Sequence, residues 1–91
     1  MLFRSHRAVV ASGSLAGVQD PLARLVAAGA LFKAGRISPA DIVNAVDTAS
    51  NQGWRRPLLA WLGVQERRAQ AAGDTQAVEQ IRRRMALASE G

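Results

Sequence analysis

Three glycine-centred breaks, Gly35-Arg36-Ile37-Ser38-Pro39, Gly53-Trp54-Arg55-Arg56-Pro57 and Gly73-Asp74, divide this chain into segments each long enough to be a helix. Glycine enters the left-handed conformation that closes a helix, and proline is tolerated in the first turn of the next one. Connections this short force antiparallel neighbours. The spacing therefore predicts helices near 21–34, 39–52, 57–72 and 75–88. The expected fold is all-α, a small antiparallel four-helix bundle made of two αα-hairpins, with a flexible N-terminal arm over residues 1–19 and a helical domain over 20–91.

Each segment carries its own start and stop chemistry. Asp20-Pro21 opens the first, because Asp accepts from an orphan backbone N–H and Pro at the first helical position has none to lose. Leu22, Leu25, Val26, Gly29 and Phe32 then recur at three- and four-residue steps as one apolar stripe. Ser38-Pro39-Ala40-Asp41 is a capping-box variant, with Ile37 and Ile42 at the positions of a hydrophobic staple. In the second helix Ile42, Ala45, Val46 and Ala49 face the core, and Trp54 is placed to fold back on Ala49 after Gly53. Asp74 caps the fourth, where Val78, Ile81, Met85 and Ala88 step along one face.

The third segment is different. Leu58, Leu59, Trp61, Leu62 and Val64 spread over about 220° at 100° per residue, wider than one stripe. Either this helix lies centrally between neighbours, the expectation from the size of its residues, or an edge carrying Trp61 and Val64 stays open for a partner. A faint repeat accompanies the layout, since Gly35 and Gly53 stand in the same relation as Gly73 and Gly91. Two hairpins account for it without common ancestry, and Asn44 and Asp47 depart from what a tetratricopeptide unit requires.

At 91 residues the chain is one domain at most, and alanine, 18 of those residues, makes its core depend on close helix approach rather than bulky rings. There is no Cys, hence no disulfide and no thiolate metal site. No apolar run reaches the length of a membrane-spanning helix. Residues 1–19 have the order of a weak export signal, interrupted by Ser12, Gly13, Ser14 and Gly17, so an arm is the expectation and export the alternative. A cytoplasmic setting is accordingly favoured over export.

Nothing in the sequence has the spacing of a catalytic site. The one histidine, His6, falls in the arm and cannot serve a nucleophile there. One His and scattered carboxylates fail the ligand count of a zinc site, and Asp41 and Asp47 point to different faces of their helix. No enzyme activity and no cofactor are expected. The net charge of +5, with seven of the cations in residues 54–91, permits an anionic partner. Arg67, Arg68, Arg82, Arg83 and Arg84 form the candidate basic patch, part of it expected to pair with Glu79 across or along the last hairpin.

One corner breaks a local rule. Arg55 and Arg56 sit where a helix already presents partial positive charge, beside the flat face of Trp54, with no capping side chain. Such violations often mark function. The expected role is a non-enzymatic protein–protein interaction domain, binding another protein or its own copy through Trp54, Arg55, Arg56, Trp61 and Val64. Non-specific nucleic-acid binding through the C-terminal arginines is the second expectation, since the second helix carries Asp41 and Asp47 and no cation with which to read a groove. Association of an exported form with an anionic surface is the third.

Overall fold

The computed structural model describes residues 17–90, which form four α-helices in sequence: α1 (Pro21–Lys33), α2 (Pro39–Gln52), α3 (Arg55–Ala71) and α4 (Thr75–Glu90). The arm or export signal expected over residues 1–19, with His6 in it, lies outside the described residues up to position 16, as does Gly91.

The capping chemistry is formed as the residues dictate. Asp20 Oδ2 accepts from the Ala23 N–H at 2.9 Å and Asp74 Oδ1 from the Ala77 N–H at 3.0 Å. At α2 the capping box is reciprocal: Asp41 N–H donates to Ser38 Oγ at 3.1 Å, and Ser38 N–H to Asp41 Oδ2 at 3.2 Å. That exchange explains why a carboxylate only 4% exposed is tolerated. Gly35, Gly53 and Gly73 take φ of 69°, 72° and 73°, and the residue after each donates back to the carbonyl five positions earlier: Arg36 to Leu31, Trp54 to Ala49, Asp74 to Ala69. Three identical left-handed stops make the connections tight.

Helix α3 starts at Arg55, two residues before the expected position 57. The first-turn N–H groups have no intrahelical acceptor in any case, so Pro57 fits at the third position as well as at the first.

Each helix packs on the next, α1 on α2, α2 on α3 and α3 on α4, whereas α1 and α4 do not meet. The Cα radius of gyration, 13.5 Å, exceeds the roughly 11–12 Å expected of a globular domain of this length, in keeping with that open ordering. Helix α2 is the one sealed most completely, with Ile42, Ala45, Val46 and Ala49 fully buried and the small residues letting its neighbours approach. Leu31, Ile37, Leu62 and Ile81 complete the core from the other helices and the first loop. Arg68 Nη2 donates to the Ile37 carbonyl at 2.8 Å, fastening α3 to the loop between α1 and α2.

Two faces come out differently from a simple core stripe. In α1 the buried residues are Ala27, Ala28 and Leu31, while Leu22 and Val26 are 61% and 63% exposed. Leu22 and Leu31 are nine positions apart, which at 100° per residue places them on opposite sides of the helix, about 180° apart. A terminal helix has one neighbour to cover it, and the alanine face permits the closer approach. In α3, Leu62 is buried, but Leu58, Leu59, Trp61 and Val64 are only half-buried although the helix packs on both α2 and α4.

Candidate functional site

Because successive helices run antiparallel, α1 and α3 run parallel on either side of α2, and their uncovered faces form the walls of an apolar groove. Leu22, Leu25 and Val26 on α1 face Trp54, Pro57 and Trp61 around a trough of about 530 Å³. A second trough of about 510 Å³ continues from Trp61 past Gly29, Phe32 and Val64 to Arg67. Trp61 lines both, and its ring meets that of Phe32 edge to face, with centroids 6.0 Å apart and planes at 80°.

The local sequence explains this geometry. A stripe at positions 22, 25/26, 29 and 32 places one α1 ridge along the groove, and 57, 61 and 64 do the same for α3. Gly29 leaves open space where a side chain would stand, which widens the second trough. Trp54 reaches the groove because the left-handed Gly53 turns the chain at once into α3.

Of the residues singled out in sequence, Trp54, Trp61 and Val64 are brought together in the groove walls. Arg55 and Arg56 are exposed in the first turn of α3, next to Trp54, which is the N-cap and makes no side-chain cap hydrogen bond. Among the described residues no carboxylate lies within ion-pair distance of either arginine. The five C-terminal arginines divide by role. Arg67 lines the second trough, Arg68 holds the Ile37 carbonyl, and Arg82 Nε pairs with Glu66 Oε2 at 2.5 Å; Arg83 and Arg84 are exposed on α4. The pairing expected around Glu79 is replaced, among the described residues, by this Arg82–Glu66 bridge between α3 and α4. Exposed pairs within one helix are weak enough to yield to a better-placed partner on the next.

The α1 wall was missing from the sequence-based site. The signal was present: α1 is apolar on two opposite faces, Ala27/Ala28/Leu31 and Leu22/Val26/Gly29, more than one neighbouring helix can cover.

Among the described residues there is no group of three or more His, Cys, Asp or Glu side chains placed to hold a metal ion, and no helix is long and apolar enough to cross a membrane. The two troughs are walled by apolar side chains, with Arg67 at the end of the second. Comparison with protein-family models, with curated proteins and with solved structures finds no match.

Proposed function

We propose that this protein is a non-enzymatic helical interaction domain that binds another protein through the groove between α1 and α3. The observation that carries this reading is the concentration of exposed large apolar residues on the groove side of α1: Leu22, Val26 and Phe32 are respectively 61%, 63% and 47% exposed, facing two half-buried tryptophans. Covering a large apolar side chain completely is worth about 1.5–3 kcal/mol, so a partner that sealed this partly exposed strip would gain roughly half of that from each residue. Contiguous apolar surface rimmed by polar residues is the usual mark of an interaction site. Val43 and Leu87 are also exposed, but they stand on α2 and α4, away from these walls.

The nucleic-acid alternative draws less support, because Arg68 and Arg82 are already engaged within the domain. Cross-linking in the native organism tests the docking reading. Photoreactive residues at Leu22 and Val26 are expected to trap a defined protein, and one at Leu87 is not. Equal trapping from all three positions, or from none, contradicts it.

A further inference from the structure

We infer, building on the groove as a protein-docking surface, that its occupant is an amphipathic helix with acidic flanks lying lengthwise between α1 and α3. Shape is the first argument. The stretch of α1 wall from Leu22 to Phe32 is about 15 Å long, nearly three turns, and both walls present side chains at three- and four-residue steps. A helix whose own apolar residues recur at that period lays each one against the walls in turn.

Charge is the second argument and selects the partner's sign. On α1, which has no acid, Lys33 stands about 20° around the helix from Leu22, on the groove side, while Arg24 is on the opposite face and donates to the Val18 carbonyl. Arg55 and Arg56 are exposed in the first turn of α3, next in sequence to the groove residue Trp54, and Arg67 lines the second trough. Of the acids, Glu66 is bridged to Arg82, and Asp20, a charged carboxylate that caps the α1 backbone, is outnumbered by Lys33, Arg55, Arg56 and Arg67. The rim is therefore cationic over an apolar floor, the complement of Glu or Asp flanking a row of leucines.

The same charge disfavours other occupants. A second copy would bring an equally cationic rim against this one. Residues 1–16 of the chain carry Arg4 and Arg7 and no acid, so they offer the same sign. For a membrane surface it is shape rather than charge that decides, since the apolar side chains of α1 and α3 wall a trough between two helices, which fits a rod-shaped partner better than a flat sheet of headgroups.

Both tryptophans of the chain line the groove, so their fluorescence reports occupancy. The full chain is titrated with a capped synthetic peptide of about 18 residues carrying Leu at helical three- and four-residue spacing and Glu on its flanks. The control peptide has Lys at every Glu. The acidic peptide is expected to shift indole emission to the blue and to bind about tenfold or more tightly than the basic one, with an affinity that falls as salt rises. The Arg55→Glu/Arg56→Glu chain is expected to lose that preference at an unchanged thermal midpoint, and the Leu22→Ser/Val26→Ser chain to lose binding.

Equal affinity for the two peptides overturns the acidic class, while loss of both in the Leu22→Ser/Val26→Ser chain would leave the docking reading standing. Binding of neither peptide, or binding indifferent to the Leu22→Ser/Val26→Ser change, overturns the inference. So does a chain that sediments as a dimer broken by Leu22→Ser, or one that responds to anionic phospholipid vesicles and not to the acidic peptide.

Discussion

Phe32 and Trp61 meet edge to face, 6.0 Å between ring centroids and 80° between planes, linking α1 to α3 on the side that α2 does not cover. An aromatic pair in this geometry adds about 0.5–1.5 kcal/mol beyond the area it buries. Replacing Phe32 by Leu keeps an apolar side chain and removes the pair. The expected result is a thermal midpoint lowered by several degrees, about 4–8 °C per kcal/mol in a domain of this size. Calorimetric scans check this, and an unchanged midpoint would show that the contact holds nothing.

Two leucines of α1 are expected to behave oppositely. Leu31 is fully buried and Leu22 is mostly exposed. Leu31→Ala leaves a cavity and costs about 2–5 kcal/mol, enough to threaten a small domain, whereas Leu22→Ala costs about 0.5 kcal/mol or less. Urea titration of the two variants measures the difference. Similar costs for both would mean that the groove face of α1 is part of the core.

The start and stop of α2 rest on backbone chemistry that single substitutions isolate. Ser38→Ala removes the acceptor for the Asp41 N–H and is expected to cost about 1 kcal/mol. Gly53→Ala meets open space but must hold φ at 72°, a conformation that costs an L-residue about 1 kcal/mol or more. Chemical denaturation of each variant gives the values, and a stabilised Gly53→Ala chain would contradict the left-handed stop.

Arg82 and Glu66 bridge α3 and α4, with Arg82 well exposed and Glu66 more sheltered, 61% against 19% for their side chains. A double-mutant cycle on Arg82→Ala and Glu66→Ala is expected to give a coupling of about 0.2–1 kcal/mol that weakens at high salt. A coupling that salt leaves untouched would argue against an exposed ion pair.

The sequence was most legible where structure is decided locally. Caps and glycine stops involve residues at most five positions apart, so Asp20, Ser38-Asp41, Gly53-Trp54 and Gly73-Asp74 could be read without knowing which helix packs on which. The wide arc of α3 was equally readable: the helix packs on both α2 and α4, the central placement expected of it, with Trp61 and Val64 half-buried. The orientation of α1 was not readable. Periodicity reports that a stripe exists and is silent on which face a neighbour covers, and the bulk of Leu22, Val26 and Phe32 draws attention away from Ala27 and Ala28. Small residues win that contest because they let α2 approach closely, which no one-helix pattern reveals. The arginines were readable as charge but not as partners, since Arg68 to Ile37 and Arg82 to Glu66 connect segments far apart in the chain.

The groove is tested most directly by an NMR titration of the isotope-labelled full chain with the acidic amphipathic peptide. The predicted result is a saturable shift of both indole N–H signals, Trp54 and Trp61, together with the amides of Leu22, Val26 and Phe32, while the α4 amides around Arg83 and Arg84 stay in place. Shifts centred on α4, or none at saturating peptide, would contradict the assignment of this face as the docking surface.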